Sequence, residues 1–250
     1  MNNRYYKEYF KLEREHWYFR ARNKIIMAHI RSLVADKQNL NILNVGVGTG
    51  HTSELLQEFG AVTSIEYDET CCQFVQETLD IQIENGSILA LEYPSNTFDL
   101  VCAFDVIEHV EDDEKGVKEL KRVCREDGVV VITVPAHMFL WSRHDEINHH
   151  HRRYQRPQLL ELFKKEGQFI YDSYYNFWLF PPVALFRFLN NLLGITKETE
   201  EDTGSDFTIM GKDSWVTRLL YRIFHSESFF VTKHIRLPFG VSLIASWRKV

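Results

Sequence analysis

An apolar run, Ile42-Leu43-Asn44-Val45, passes directly into Gly46-Val47-Gly48-Thr49-Gly50 and then into His51-Thr52, where a helical pattern begins. Three alternate glycines after a short strand let the backbone turn sharply and approach a ligand closely, and the helix that follows presents N–H groups to negative charge. Twenty residues after Gly46, at the end of the next apolar run, stands Glu66, a carboxylate able to accept both hydroxyls of a ribose. The spacing is GxGxG, and His51 occupies the position where the dinucleotide fingerprint GxGxxG has its last glycine. A mononucleoside cofactor is favoured over a dinucleotide. Glycines that only turn the chain are the simpler alternative, which the co-occurrence of Glu66 weakens.

The rest of the chain restricts the fold around this loop. Apolar runs at Ile42–Val45, Val62–Ile65, 81–84, Leu100–Phe104 and Val129–Val134 alternate with helical patterns at 51–59, 69–79 and 113–125, which predicts a doubly wound parallel sheet. Aromatic residues among charges at 4–19, followed by a second helical pattern at 22–35, predict an N-terminal helical cap. After a helix at 156–166 and a strand at Ile170–Tyr174, the pattern breaks into two amphipathic stretches at 183–193 and 215–225, separated by a polar acidic run at 197–206. Val241–Trp247 then returns to strand composition. Lys and Arg number 29 against 35 Asp and Glu, a net charge of −6 that disfavours general nucleic-acid binding. Four cysteines without CxxC spacing, and no signal-like apolar run at the N-terminus, predict a cytoplasmic setting.

Four motifs in order over roughly residues 40–135 resemble the class I S-adenosylmethionine-dependent methyltransferases, of the type 11/12 kind. They are the glycine loop; Glu66-Tyr67; Asn85-Gly86-Ser87-Ile88; and Phe98-Asp99-Leu100-Val101 leading into Phe104-Asp105-Val106-Ile107-Glu108-His109. The resemblance implies a Rossmann-like α/β fold: a doubly wound, seven-stranded, mostly parallel sheet with an N-terminal helical cap at 1–38, a cofactor core at 39–174, a helical insertion or lid at 175–236 and the final strand at 237–250. It implies S-adenosylmethionine as cofactor, with S-adenosylhomocysteine as product. The implied cofactor residues are Gly46, Val47, Gly48, Gly50, Thr52, Glu66, Tyr67, Ser87, Ile88, Phe104, Asp105 and His109. Two departures stand out: Asn44 where the family usually has Asp or Glu, and Ser87 in place of an adenine-contacting Asp.

Methyl transfer from a sulfonium needs alignment, exclusion of water and, for a hydroxyl or amine acceptor, a base. Such groups belong at the carboxyl ends of the fourth and fifth strands. Residues 135–154 hold five histidines, Asp145 and Trp141 in a stretch too polar for a core. A Trp-Ser, Asp and His-Arg-Arg-Tyr arrangement there resembles an acceptor-side loop. It places Trp141, Asp145, His151, Arg152 and Arg153 near substrate, with His151 or His144 as base beside Asp145 and the two arginines binding an anionic group; His137, at the end of the fifth strand, and Trp17, from an aromatic cap that closes the site, are the further candidate substrate contacts. A solvated loop is the plain alternative. A metal site built from His144, Asp145, His149 and His151 is set aside because consecutive histidines point in different directions, so no metal is expected.

In the C-terminal insertion, Leu185, Phe186, Leu189, Leu192 and Leu193 share one helical face, as do Trp215, Leu219, Leu220, Ile223 and Phe224 in the second stretch. Residues 207–250 carry seven basic and two acidic residues. These faces either cover the sheet, form a homodimer contact, or meet a membrane surface through Trp178, Phe180 and Phe186 with Arg218 and Arg222 on headgroups. The expected activity is methylation of an oxygen or nitrogen nucleophile on a small or lipid-linked acceptor, such as a glycan or isoprenoid-linked compound. A noncatalytic scaffold on the same fold and a nucleotide-dependent oxidoreductase are the two rival readings.

Overall fold

The computed structural model of the chain describes residues 3–35, 37–193 and 214–250; the acidic run at 197–206 lies outside them. The described strands are β1 (Leu40–Val45), β2 (Gly60–Glu66), β3 (Gln82–Asn85), β4 (Phe98–Phe104), β5 (Cys124–Pro135), β6 (Gly167–Tyr175) and β7 (Ser242–Lys249), in one sheet ordered β3-β2-β1-β4-β5-β7-β6. β7 runs antiparallel between β5 and β6, and the pairs from β3 through β5 are parallel. The final strand thus rejoins the sheet, as its composition predicts.

All seven residues of β4 are buried because it lies mid-sheet with helices on both faces. The period-two alternation of side chains divides the core. Leu43, Val45, Val101 and Ala103 point to the face covered by α5 (Asp113–Val123) and α7 (Arg156–Leu162), where Val117, Leu120, Leu159 and Phe163 meet them. Ile42, Leu100 and Cys102 point to the other face, covered by Ile25, Ile26 and Ile30 of α2 (Trp17–Val34). α3 (His51–Leu56) and α4 (Glu69–Thr78) follow β1 and β2; Asp68 caps α4 by accepting from the Thr70 and Cys71 N–H groups.

β1 lies between β2 and β4, so the connections leaving β1 and β4 run to opposite faces and open a crevice at their carboxyl ends. The N-terminal helix α1 (Asn3–Glu15) closes over that crevice. Its Tyr6 packs with Val47, Cys72 and Phe74 and donates to Asp68 at 2.7 Å. Two short helices, α6 (Arg143–Ile147) and the turn Met138–Leu140, line the segment after β5.

The insertion divides into two roles. α9 (Trp215–His225) and α10 (Glu227–Thr232) pack on α2, with Phe224 stacked on Tyr18 at 5.3 Å between ring centres. Glu227, fully buried, accepts from the Asn176, Phe177 and Trp178 N–H groups at 2.6, 2.8 and 3.1 Å and fixes the exit of β6. These elements cover the sheet. α8 (Phe180–Leu193) instead turns its charged residue inward: Arg187 donates to the Leu140 carbonyl, while Leu185, Phe186, Phe188 and Leu189 are exposed. No helix among the described residues is long and apolar enough to cross a membrane.

Candidate functional site

Gly46, Gly48 and Gly50 have φ of +67°, +53° and +84°, the left-handed region in which a side chain is strained. A Cβ on Gly46 would also lie 2.6 Å from Val106, so the loop and the exit of β4 are pressed together by the absence of a side chain. Gly48 differs: the space above it is bounded only at 3.9 and 4.0 Å by Tyr9 and Glu13 of α1.

Glu66 ends β2 beneath this loop. One oxygen accepts the Gly48 N–H at 2.9 Å and the other the Asp68 N–H at 3.1 Å, and burial pushes its carboxyl above the ordinary range. Each oxygen retains a lone pair for a further donor. Tyr67 beside it is 79% exposed. At the end of β3, the Ser87 hydroxyl accepts from the Leu89 N–H at 3.2 Å and Ile88 is buried against Gly116, so Ser87 shapes its own turn.

Asp105 is the first residue past β4 and adopts a left-handed φ of +56°. Its carboxylate accepts from Arg22 at 2.6 Å and from the Thr133 hydroxyl at 3.0 Å, while its side chain stays 38% exposed. Arg22 is buried and reaches this site from α2; the sequence reading missed it. The signal was present, since Arg22 lies one turn before Ile25 and Ile26 on the apolar stripe of an amphipathic helix. Glu13 was missed as well. It accepts from the Thr49 hydroxyl, and burial pushes its carboxyl up to about 7.

That shift gives α1 a pH dependence. The docked helix holds the Glu13 proton more tightly than the unfolded chain, whose value is 4.5, so the contribution of Glu13 is complete below about pH 4.5 and is lost as pH rises through 7. Amide exchange corrected for intrinsic rates is expected to show α1 better protected at pH 6 than at pH 8. Glu13→Gln removes that difference; an equal difference in the variant contradicts the assignment.

Several of the residues singled out from sequence are engaged within the fold. Asn44 is buried and donates to Thr52 and Ser53, both at 2.9 Å, so Asn44 and Thr52 latch β1 to α3 instead of facing the crevice. Asp145, expected to be catalytic, is fully buried and held by the Arg153 Nε and Nη2 at 2.7 and 3.0 Å, so neither it nor Arg153 faces an acceptor. Arg152 is likewise engaged, with Asp113 at 2.9 Å and the Glu111 carbonyl at 2.7 Å. Val47 is buried beneath α1 and Phe104 lies in the α2-side core.

The other candidate residues of the segment after β5 lie as follows. His137 stacks on Tyr174 at 4.9 Å and meets Phe180 at 5.6 Å; Trp141 donates to Glu146 at 3.4 Å. His151 is exposed, and its N–H donates to the Glu108 carbonyl at 2.8 Å, tying this loop to the exit of β4. His144 is half-buried with its ring 6.3 Å from that of His150. Trp17, at the start of α2, packs edge-on to Tyr18 against the core. An open cleft of about 620 Å3 bounded by Arg31, Val34, Phe59 and Ala61 lies at the amino ends of β1 and β2, the wrong edge of a parallel sheet for a ligand.

A ligand with a vicinal diol at one end and a zwitterionic amino acid at the other fits this donor set. Glu66 offers acceptors to hydroxyls, Glu13 and Asp105 are carboxylates for an ammonium, and Arg22 is a cation for a carboxylate. S-adenosylmethionine carries all three groups.

A family model described as a methyltransferase domain matches residues 43–132. A Mycolicibacterium smegmatis protein named a probable S-adenosylmethionine-dependent methyltransferase is 28% identical over 166 residues, covering 65% of this chain and 63% of that protein. The chain thus spans less than two thirds of this relative. The phosphatidylethanolamine N-methyltransferase of Cereibacter sphaeroides is 33% identical over 98 residues, 36% of this chain and 48% of the enzyme. Among solved structures, the 4+2 cyclase SpnF superposes with a TM-score of 0.58 at 15% identity, over 90% of this chain and 80% of its own. The glycine loop, Glu66 and Asp105 lie at the switch point of a sheet in which only the sixth-position strand is reversed, and over residues 43–132 the chain is similar to S-adenosylmethionine-dependent methyltransferases, which supports S-adenosylmethionine as the cofactor of this site.

Proposed function

We propose that the chain transfers the methyl group of S-adenosylmethionine to an oxygen or nitrogen of an acceptor that carries an apolar tail. The cofactor supplies an electrophilic methyl carbon on a positively charged sulfur. The chain contributes position and charge: Glu66 and the glycine loop hold the nucleoside, and the Arg22–Asp105 pair faces the amino-acid end. The aromatic walls around His137 exclude water, and His151, exposed at the acceptor-side loop, takes a proton from the nucleophile.

The observation that carries the acceptor class is the outward apolar row of α8. Leu185, Phe186, Phe188 and Leu189 are between 41% and 62% exposed, and Met138 and Phe139, 50% and 60% exposed, continue the surface across the turn on which Arg187 anchors the helix. Trp215, Leu219 and Ile223 make a second outward row on α9. Contiguous apolar surface of this kind marks an interaction site. The name of the Cereibacter relative, whose substrate is a phospholipid, agrees with a tailed acceptor.

The test compares one headgroup with and without its tail in a methyl-transfer assay, together with the double variant Phe186→Ser, Phe188→Ser. Full burial of a phenylalanine is worth about 1.5–3 kcal/mol, so partial burial of two is worth roughly tenfold or more in KM. The tailed acceptor is expected to have the lower KM, the double variant to raise it, and cofactor affinity to stay unchanged. Equal KM for tailed and tail-less acceptors overturns the tail.

A further inference from the structure

We infer that Glu108, His109 and His150 form a binding site for a divalent transition-metal cation. Glu108 follows β4 in the short turn Ile107–His109 and is fully buried, yet neither carboxylate oxygen has a hydrogen-bond partner. A buried carboxyl left without partners costs free energy, and native structures rarely retain one without a reason. The groups next to it supply the reason. One donor atom each from Glu108, His109 and His150 lie within 4.8 Å of one another, and the two imidazoles meet edge-on with ring centres 4.5 Å apart. A cation with bonds of about 2.0–2.2 Å needs its donors within roughly 4.4 Å, a difference that small side-chain rotations close.

Both imidazoles are aimed by an outer partner. His150 Nδ1 lies 2.9 Å from Asp145 Oδ1, which leaves Nε2 for the cation, and Asp145 is itself fixed by Arg153 and by the Ser142 N–H. The His109 ring bonds to the Asn148 backbone. Histidines that ligate metals have this outer carboxylate or carbonyl as a rule, because it fixes both tautomer and ring direction. The His151 N–H to Glu108 carbonyl bond joins the two segments that supply the ligands. Asp145 and Arg153, which the acceptor role did not use, thereby gain one: they hold His150 in place.

The ligand chemistry selects the ion. Two imidazoles and one carboxylate suit Zn2+, Mn2+, Fe2+, Co2+ or Ni2+, whereas Ca2+ and Mg2+ prefer oxygen throughout. Three protein ligands leave coordination positions open to an oxygen or nitrogen of a small ligand. The sequence reading assembled its metal alternative from His144, Asp145, His149 and His151. It missed this site because two of the three ligands come from the exit of β4, about forty residues earlier in the chain.

The inference does not depend on methyl transfer, and its test reads metal directly. The full chain, stripped with chelator and dialysed, is titrated calorimetrically with Zn2+ and with Mn2+. Binding of one ion per chain is expected, weakened in Glu108→Gln and His150→Ala by more than the roughly 10–100-fold that loss of an outer partner costs. His149→Ala, an exposed neighbour, retains it. For variants that fail to fold, the unchanged chain loaded with Cu2+ is read by electron paramagnetic resonance, which is expected to show two coordinated imidazole nitrogens. No binding, binding undiminished in both variants, or a spectrum with one imidazole nitrogen or none overturns the site.

Discussion

Asp145→Ala is expected to destabilise the chain by about 3–5 kcal/mol, because it removes one half of a buried ion pair and leaves the other half charged. The Arg153 side chain is 3% exposed and its guanidinium spends Nε and Nη2 on Asp145, with Nη1 on the Ala136 carbonyl at 3.2 Å. The same substitution removes the cap of α6, where Asp145 accepts the Ser142 N–H at 2.8 Å, and the partner of His150. Urea unfolding measures the loss. Adding Arg153→Ala to the alanine variant should cost less than the sum of the two single changes, because the stranded charge goes with it. A loss below about 1 kcal/mol in the single variant would mean that the pair is hydrated and that Asp145 is available for other work.

Glu66→Ala is expected to weaken S-adenosylmethionine binding by roughly 100-fold or more. A hydrogen bond to a charged group contributes about 1.5–3 kcal/mol, and the carboxylate has lone pairs for two ribose hydroxyls. The variant also frees the Gly48 and Asp68 N–H groups that Glu66 now holds, so the glycine loop loses its underside. Glu66→Gln separates the two effects: it keeps one acceptor and the side-chain volume, and should fall between the natural chain and the alanine variant. Calorimetry with S-adenosylhomocysteine, which shares the nucleoside, should show a parallel loss. Equal affinity in all three chains would remove Glu66 from the cofactor site.

The glycine loop and the carboxylate beneath it were legible because they are local. Gly46, Gly48, Gly50 and Glu66 lie within 21 residues, and the physics that places them is the turn after a strand. β7 was legible as a strand from Val241–Trp247, although composition alone does not show that it enters the sheet antiparallel between β5 and β6. What sequence could not supply was contact across long separations. Arg22 meets Asp105 over 83 positions and Glu13 meets Thr49 over 36, so the part played by the cap emerges only in the folded chain. The acceptor-side loop failed for a different reason. Its charges looked like surface chemistry, but Asp145 and Arg153 satisfy one another in the interior, and only burial distinguishes a paired charge from an available one. α8 failed in the opposite sense, since an amphipathic pattern does not say which face meets protein, and here Arg187 does.

The same sheet carries the 4+2 cyclase SpnF, so this fold is not tied to a single reaction. The account of this chain rests on a cofactor held between the glycine loop, Glu66 and the Arg22–Asp105 pair. Calorimetric titration of the unchanged, folded chain with S-adenosylmethionine tests that most directly. The account predicts one site per chain, with heat abolished by prior saturation with S-adenosylhomocysteine; a folded chain that binds neither compound contradicts it.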